Sequence, residues 1–455
     1  MRVYLLSLGC PKNTVDSEIM AGTLLRSGDT LVPSPEEADA AIVNTCGFIA
    51  PAKEESLDAV MELVRLKGQR PGLRVVMAGC LAQRYPRELS AEMPEVDAFV
   101  GVNDFPRIAG ILRQLDGRPV ETAGPRYLPT SRTPRFRVTP PHLAYVKISE
   151  GCSHGCAFCA IPAIRGPLRS RPEDDILEEV EGLLAEGVRE LVVIGQDTTA
   201  YGRDRGRPGA LVPLLRRLAG FGGEYRVRLM YAFPAAIGDD LLDAMAANPR
   251  VCRYLDIPFQ HAHPATLRRM GRGGDGERFL ALLGRIREAL PGVALRSSLI
   301  AGYPGETEAE YRALRDFVRA ADFEHLGVFG YSDEEGTPAF DLPKKVPAEK
   351  GAARAGSLMR LQRRLVRRRN RERVGRTVRV LVDGVRDDAD FLVQARTEGQ
   401  AFDIDSVVYL TTGPVETLVP GRFVDARLTR AVEYDVEAEV VPPGGETGQA
   451  DPNHG

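Results

Sequence analysis

The stretch Gly151-Cys152-Ser153-His154-Gly155-Cys156-Ala157-Phe158-Cys159-Ala160-Ile161-Pro162 is the most informative part of this chain. Its cysteines have the spacing Cys-x-x-x-Cys-x-x-Cys, which supplies three thiolates and no fourth ligand nearby. Thiolates select soft metal centres, and iron–sulfur clusters are the prime case. A four-iron cluster held by three cysteines leaves one iron open to a small ligand with amino and carboxylate groups. The spacing therefore predicts a catalytic 4Fe–4S cluster on Cys152, Cys156 and Cys159.

Other uses of this triplet fit less well. A structural zinc site normally pairs Cys-x-x-Cys with a second pair of ligands elsewhere. A disulfide framework is typical of short chains in oxidising compartments. An open iron of the predicted kind binds and reductively cleaves S-adenosylmethionine (SAM), so the triplet resembles the signature of radical-SAM enzymes.

Length and composition are those of a globular protein with several domains. The chain has 455 residues, 43% hydrophobic and 27% charged, with a net charge of −3. Such a length allows about three domains, and the charge balance shows no preference for nucleic acid. No apolar run reaches the ~20 residues that cross a membrane, and residues 1–8 lack the features of a signal peptide. We expect a cytoplasmic protein without membrane contact, whose seven cysteines serve metal or redox chemistry.

The first ~125 residues alternate between apolar and amphipathic segments. Strands are predicted at 3–8, 40–43, 75–78 and 98–100, with helices at 15–27 and 52–66. Such alternation is typical of an α/β fold with a parallel sheet and helices on its faces.

Three further cysteines each follow one of these strands: Cys10, Cys46 and Cys80. The carboxyl ends of parallel strands share one edge of a sheet, where open α/β folds bind their ligands. The cysteines could be three unrelated buried thiols, since cysteine is commonly buried. Their shared position after a strand favours a second iron–sulfur site.

The central part of the chain predicts a partial (β/α)6 barrel. A linker at 126–141, rich in Pro, Arg and Thr, precedes predicted strands at 144–149, 190–194, 226–231, 254–257, 294–300 and 325–331. The functional edge of such a barrel lies at the carboxyl ends of its strands. Candidates for SAM or substrate contacts there are Gln196, Asp197, Gln260, His261, Arg296, Gly302 and Glu306, although each could equally be a turn or rim residue. Cys252 has no partner by spacing and is predicted to be a core thiol.

The carboxy-terminal part changes character. A long helix at 351–374 carries many arginines, which suits a solvated face or, less often, contact with RNA. Residues 375–440 have the short alternating strands of a small all-β, OB-like barrel, and 441–455 are predicted to be a disordered tail. The barrel segment has seven basic and thirteen acidic residues, a net charge of −6. Such a charge reflects solubility alone or complements a basic protein rather than RNA.

These features together resemble the methylthiotransferases. The likeness covers nearly the whole chain and depends on Leu8–Glu18 (LGCPKNTVDSE), Asn44–Ile49 (NTCGFI) and the central triplet. It implies an amino-terminal methylthiotransferase domain (1–125), a radical-SAM domain (142–374) and a TRAM domain (375–440). Cys-Pro-Lys-Asn after the first strand and residues 402–409 are similar to the RimO branch, whereas the tRNA-modifying branch usually has Gln at the position of Pro11.

The resemblance also implies a reaction. Two 4Fe–4S clusters and SAM would add a methylthio group to the β-carbon of an aspartate in the small-subunit ribosomal protein "S twelve", with Cys10, Cys46 and Cys80 holding the second cluster. An electron donor such as flavodoxin or ferredoxin is expected as a partner. The nearest rival is a tRNA adenosine methylthiotransferase. A non-catalytic iron–sulfur protein and a one-cluster radical-SAM enzyme with structural dispersed cysteines are more distant rivals.

Overall fold

A computed structural model describes residues 1–115, 124–385, 393–412 and 418–442 of the chain. In these ranges no helix is both long enough and apolar enough to cross a membrane. The predicted tail lies outside the described residues from position 443 onward, as do Arg386, Asp387, Asp388, Asp390 and Glu416 of the charged set of the carboxy-terminal barrel.

The amino-terminal part is a five-stranded, fully parallel sheet with the order β2-β1-β3-β4-β5. Its strands are β1 (Arg2–Ser7), β2 (Thr30–Leu31), β3 (Ala40–Thr45), β4 (Arg74–Gly79) and β5 (Ala98–Val100). Its helices are α1 (Pro11–Arg26), α2 (Ala50–Gln69), α3 (Cys80–Arg84), α4 (Pro86–Glu92) and α5 (Ile108–Arg113). The predicted parallel sheet is confirmed. The short strand β2 was missed, because two residues give too little pattern to detect.

The central part is a partial barrel of six parallel strands. They are β6 (Leu143–Lys147), β9 (Glu190–Ile194), β10 (Arg226–Leu229), β11 (Tyr254–Asp256), β12 (Ala294–Ala301) and β13 (His325–Gly330). They form two three-stranded sheets, β6-β9-β10 and β11-β12-β13, which a parallel bridge between Val227 and Val251 links. A two-stranded hairpin of β7 (Ser149–Glu150) and β8 (Arg169–Ser170) brackets the central cysteines.

Helices cover the outside of the barrel. They are α7 (Glu173–Ala185), α8 (Leu211–Leu218), α9 (Asp239–Ala246), α10 (Pro264–Arg269), α11 (Gly276–Ala289), α12 (Glu308–Ala321) and α13 (Ala348–Arg373). The short helix α6 (Ile161–Arg165) packs instead against α3 of the amino-terminal part. Side chains alternate along a strand, so Ala144 and Val146 pack outward into the helix-covered core, whereas Tyr145 points inward. Helix α12 begins with a capping box in which Thr307 and Glu310 satisfy each other's backbone N–H groups.

The carboxy-terminal part is a closed five-stranded barrel, as the sequence predicts for a TRAM domain. Its strands are β14 (Thr377–Val385), β15 (Val393–Arg396), β16 (Val408–Thr412), β17 (Phe423–Val432) and β18 (Asp435–Val440), in the order β14-β15-β16-β18-β17. Its small core is separate from the others and consists of aliphatic residues such as Val380, Val408 and Leu428.

The amino-terminal and carboxy-terminal parts of the chain pack against side chains that point into the central barrel. One hydrophobic cluster joins Val15 and Ile19 of α1, Tyr145 and Ile194 of the barrel strands, and Ala401 of the carboxy-terminal part. At the amino-terminal ends of the strands, the buried Glu190 carboxylate pairs with Arg226, Arg228 and, from β15, Arg396 at 2.7–2.8 Å. The carboxyl ends therefore remain as the open edge, and the amino-terminal sheet packs there.

Candidate functional site

The three central cysteines lie in the loop between β7 and α6. The backbone N–H of Cys152 donates to Gly166 O (3.0 Å), and that of Cys159 donates to Cys156 O (3.1 Å). Burial, followed by the like charge of neighbouring thiolates, raises the pKa of Cys159 to about 12. Burial also raises the pKa of Cys152. Without a metal these thiols stay protonated at neutral pH, so a positively charged centre must stabilise any thiolate form.

Side chains of the barrel contact this cysteine loop and hold it in place. His154 Nε2 lies 2.6 Å from Asp197 Oδ2, and the His154 ring stacks on Phe233 with centroids 4.0 Å apart. The guanidinium carbon of Arg272 lies 4.4 Å from the centroid of the Phe233 ring, and its Nη1 donates to Cys156 Sγ at 3.7 Å. Asp197, a predicted SAM-contact residue, therefore positions the cysteine loop directly.

The dispersed cysteines come together at the carboxyl edge of the amino-terminal sheet. Cys10 follows β1, Cys46 follows β3, and Cys80 begins α3 directly after β4. The loops are so close that a Cβ on Gly9 would lie 3.0 Å from Cys46 Cβ, and at its φ of +94° glycine is favoured.

Asn13 ties these loops to one another. Its Nδ2 donates to Leu8 O (3.0 Å) and Thr45 O (3.1 Å), and its Oδ1 lies 3.6 Å from Cys80 Sγ. In the sequence, Asn13 stands out only as part of a family motif. Its structural role was missed because hydrogen bonds between distant loops leave no spacing signal.

The electrostatics of the three dispersed thiols differ. Burial and the neighbouring cysteines raise the pKa of Cys46 to about 12, and burial raises that of Cys80. Burial also acts on Cys10, but the charge of Lys12 and the Asn13 backbone N–H outweigh it, so the pKa of Cys10 is lowered. Lys12 itself sits 3.4 Å from the centroid of the Tyr231 ring, on the barrel side of the interface.

In the described part of the chain, no three His, Cys, Asp or Glu side chains stand close enough to chelate one metal ion. A 4Fe–4S cluster requires a different geometry from a single metal ion. Each thiolate binds a different iron, so the three sulfur atoms lie farther apart. Both cysteine sets consist of three unoxidised cysteines, so their donor chemistry fits such clusters.

The two cysteine sets face each other across a packed interface. Helix α3, which begins at Cys80, contacts α6, which begins two residues after Cys159, and Cys80, Ala160 and Ile164 form one buried apolar cluster. Arg165, at the end of α6, donates to Asn13 Oδ1 (2.7 Å) and to Cys80 Sγ (3.1 Å).

Four buried charged side chains form ion pairs at this interface. Asp16 of α1 receives Lys147 (2.6 Å) and Arg165 (2.6 Å) from the barrel, and Glu150 pairs with Lys147 (2.9 Å) and Arg165 (3.4 Å). Burial alone would raise the pKa of Glu150, but Lys147 and Arg165 outweigh it and lower the value to about 2. Two acids and two bases balance, so this group of four side chains carries no net charge. These four residues were not predicted as interface residues, because a single sequence does not distinguish a buried charged residue from an exposed one.

The predicted strand-end residues separate into two groups. Gln196 lies beside the cysteine loop, since its Nε2 donates to Glu150 Oε1 (2.7 Å), and its Oε1 is buried without a hydrogen-bond partner among the described residues. Ser149 Oγ is another such orphaned atom, at the strand that delivers Cys152. Gln260 has a strained positive φ of +68° and a half-exposed side chain at the end of β11. Gln196 Oε1 and Ser149 Oγ are therefore the two orphaned polar atoms among the described residues that lie next to the segment leading into the cysteine loop.

The other candidates are committed to contacts within the protein. Glu306 is buried and accepts from Arg354 (2.6 Å) and the Gly302 N–H (3.0 Å), and His261 Nε2 lies 3.3 Å from it. A Cβ on Gly302 would lie 2.6 Å from Gly351 Cα, so this glycine permits helix packing rather than ligand approach. The structure does not bring Arg296 to the cysteines.

Arg296 is the third residue of β12, and it pairs with Asp256 (3.0 Å) and with Asp405 (3.3 Å) of the carboxy-terminal part. A strand of eight residues spans the barrel, so an early position in β12 lies far from the open edge. Cys252 is a buried core thiol, as predicted.

Comparison with known proteins now adds to this geometry. Three family models match consecutive parts of the chain: "Uncharacterized protein family UPF0004" at residues 2–101, "Radical SAM superfamily" at 146–318 and "TRAM domain" at 374–441. The "Ribosomal protein uS12 methylthiotransferase RimO" of Sorangium cellulosum is 45% identical over 97% of this chain and 91% of its own length. The chain belongs to the RimO methylthiotransferase family.

Other members of this family agree. The proteins of the same name from Myxococcus xanthus and Pelotomaculum thermopropionicum are 45% and 44% identical over 96% and 97% of this chain, and over 91% and 99% of their own lengths. The radical-SAM methyltransferase TsrM from Kitasatospora setae shares the fold, with a TM-score of 0.51, 17% identity and coverage of 74% of this chain and 76% of TsrM. The predicted resemblance to the methylthiotransferases is thus confirmed.

Proposed function

We propose that this chain transfers a methylthio group to the β-carbon of an aspartate in ribosomal protein uS12, using two 4Fe–4S clusters and SAM. Its relatives carry the name of uS12 methylthiotransferases at 42–45% identity over nearly the full chain. The observation that carries the chemistry is the packing of the Cys80 helix against the Cys159 loop through Arg165.

The roles follow from the positions of the cysteines. Cys152, Cys156 and Cys159 would hold one cluster at the barrel mouth, and Cys10, Cys46 and Cys80 the second. When bound, the clusters would supply a low-potential electron and two open irons, chemistry that no side chain provides. We assign these roles to the segments 1–125 and 142–374, with 375–440 as the part that closes the base of the barrel.

The chain's own groups would position the reactants. Gln196 and the orphaned Ser149 hydroxyl offer hydrogen bonds to SAM, and Asp197 fixes the cysteine loop through His154. Four paired, buried side chains would hold the two cysteine sets in a fixed relative position and exclude water between the domains. They are Asp16, Lys147, Glu150 and Arg165. Exclusion of water is essential for a radical that would otherwise react with solvent components.

The overall change replaces one C–H bond of the aspartate side chain with a C–S bond. One SAM would supply the methyl group, a sulfide-level donor the sulfur, and the adenosyl part of a second, reductively cleaved SAM would take the hydrogen atom, while the electron used for that cleavage returns when the C–S bond forms. That C–H bond is too weakly acidic for any side-chain base, so hydrogen-atom abstraction is the chemistry that fits. A cytoplasmic place of action and a small electron-transfer protein as reductant are part of the proposal, since the substrate is a ribosomal protein.

The proposal is tested with anaerobically reconstituted protein, SAM, inorganic sulfide, a chemical reductant and either a uS12 peptide that contains the target aspartate or bulk tRNA. We expect mass spectrometry to show one methylthio group in place of hydrogen on the peptide, and none on the tRNA nucleosides. A matched peptide with alanine at the aspartate should stay unmodified. Modification of tRNA with an unchanged uS12 peptide would favour the adenosine rival.

A further inference from the structure

A lysine and a tyrosine meet where the amino-terminal sheet packs on the open edge of the barrel. Lys12 belongs to the first turn of α1 and follows Cys10, a proposed ligand of the second cluster, by two residues. Its Nζ lies 3.4 Å from the centroid of the Tyr231 ring, and Tyr231 comes directly after the end of β10. Both side chains are half-buried, so the contact keeps one side that is open to solvent.

The segment after β10 also contacts the other cysteine set. Phe233 lies two residues after Tyr231, and its ring stacks on His154, in the loop of the three central cysteines. Cys10 of one set therefore precedes Lys12 by two residues, and the loop of the other set is reached through Tyr231 and Phe233. Because the proposed reaction draws on both sets, the reacting carbon has to bind between them, and Lys12 lies there.

Tyr231 has a backbone conformation that side chains rarely adopt. Its φ is +61°, in the left-handed region, where a bulky residue is strained. Two contacts fix this backbone: the Thr198 N–H donates to Tyr231 O (3.0 Å), and the Tyr231 N–H donates to Asp256 Oδ2 (3.4 Å). Such strain persists where the surrounding structure enforces it, and it clusters at binding sites. The ring is thus a rigid support that holds the Lys12 ammonium in one place.

The ammonium of Lys12 has no carboxylate partner in the part of the chain that the structure describes. Tyr231 does not balance its charge, because a phenol is neutral at neutral pH. Arg272, a second cation beside the cysteines, differs because it donates to Cys156 Sγ (3.7 Å) and Pro258 O (2.8 Å). The acids of the surrounding segments, each paired with another base, are Asp16, Glu150, Asp197 and Asp256. A bound carboxylate could therefore pair with Lys12 without breaking any of these ion pairs.

We propose that Lys12 binds the side-chain carboxylate of the substrate aspartate and so places its β-carbon between the two cysteine sets. This inference deepens the proposed function and rests on it. The β-carbon of an aspartate is bonded directly to the carboxyl carbon, so a carboxylate held at Nζ leaves the β-hydrogens little freedom. An ammonium–carboxylate hydrogen bond is roughly twice as strong as a neutral one. Lys12 thus also contributes to the choice of aspartate over an uncharged side chain of the same shape.

The test uses the reconstituted holoenzyme with SAM but without reductant, and two fluorescent uS12 peptides, one with the target aspartate and one with asparagine in its place. We expect the wild type to bind the aspartate peptide at least about tenfold more tightly, as the loss of one charged hydrogen bond predicts. Lys12→Gln should bind both peptides equally and weakly. Lys12→Arg keeps the charge and should retain most of the preference for aspartate.

The matched control is Lys67→Gln, which removes the same charge at the opposite edge of the amino-terminal sheet. Lys67 lies near the end of α2 and pairs with Asp97 (2.7 Å), the residue before β5. This variant should keep the preference of the wild type, because its charge is far from the cysteines and surface charges are screened by salt.

A role of Lys12 in balancing the charge of the second cluster alone gives a different pattern. Lys12→Gln would then hold fewer than the about eight irons expected of the wild type, while the wild type would bind the two peptides equally. Equal binding or no binding of the two peptides by the wild type, or an undiminished preference in Lys12→Gln, would overturn the inference. The proposed function would instead be refuted if the reduced wild type, supplied with SAM and sulfide, left the aspartate peptide unmodified.

Discussion

Arg165 of the central barrel donates a hydrogen bond to the Sγ of Cys80 in the amino-terminal sheet, at 3.1 Å. The same guanidinium pairs with Asp16 and Glu150 and is almost fully buried. One side chain thus joins a predicted cluster ligand to the interface that orients both cysteine sets.

Replacing Arg165 with Gln should destabilise the interface strongly. The change leaves Asp16 and Glu150 with one buried base between them, and removal of one partner of a buried pair costs about 3–5 kcal/mol. Urea unfolding of the protein without clusters measures this free energy. The matched control is Arg169→Gln, because the Arg169 side chain is half-exposed and donates to backbone carbonyl oxygens. This change should cost about 1 kcal/mol. Equal losses in the two variants would show that Arg165 has no special place in the interface.

The number of irons bound per chain should show whether each of the two cysteine sets holds its own cluster. Anaerobically reconstituted wild-type protein should hold about eight irons per chain, and Cys46→Ala or Cys156→Ala about four, if each set binds one four-iron cluster. Cys252→Ala is the control, because this thiol is buried in the core away from both sets. It should keep about eight irons and lose only packing energy. A wild type with about four irons would support the one-cluster rival.

Gln196 and Glu306 should behave differently, although both follow predicted strands. Gln196→Ala removes a side chain with an unpaired buried oxygen beside the cysteine loop, so SAM affinity should fall about tenfold, the equivalent of one good hydrogen bond to a charged group. Glu306→Gln instead weakens the contact to Arg354 and should lower the melting temperature. Calorimetric SAM binding and thermal unfolding of each variant separate the two effects. A normal melting temperature together with weak SAM binding in Glu306→Gln would reverse this assignment.

His261 should make stability fall on the acid side of neutrality. Its Nδ1 accepts from the His263 N–H at 3.0 Å, so Nε2 carries the proton toward Glu306. Burial lowers the pKa of His261, which means that the unfolded chain binds the proton more readily than the folded one. The stabilising effect is therefore present above the unfolded pKa of about 6.5 and is lost as pH falls below it.

The matched variant His261→Gln should remove part of that slope. The free energy of unfolding of wild type and variant is measured from about pH 7.5 to about pH 5, a range that brackets the pKa of an unfolded His. The two values should converge as the pH falls. Parallel curves would show that His261 does not titrate differently in the two states.

The sequence predicted the elements of this fold well and their contacts poorly. Parallel strands ending in Cys10, Cys46 and Cys80 follow from local alternation, because the period of a strand is visible in a few residues. The opposition of α3 and α6 does not, since it depends on how two units dock. Arg296 shows the same limit, because its position on β12 was predicted but its pairing with Asp405 depends on a segment about a hundred residues later.

Glu190 should hold the carboxy-terminal barrel on the base of the central one. Its carboxylate is fully buried and pairs with Arg226, Arg228 and Arg396, and these guanidinium groups keep its pKa well below the usual range despite burial. Glu190→Gln leaves three buried arginines with Asp383 as their one remaining carboxylate partner among the described residues, so we expect a loss of about 3–5 kcal/mol in unfolding free energy. The exposed control Glu224→Gln, which also pairs with an arginine of this region, should cost at most about 1 kcal/mol. Limited proteolysis adds a structural readout, because loosening of Arg396 should expose the chain between α13 and β14 to cleavage in Glu190→Gln and not in Glu224→Gln. Identical cleavage in both variants would mean that the hydrophobic contacts around Ala401, rather than this carboxylate, keep the two barrels together.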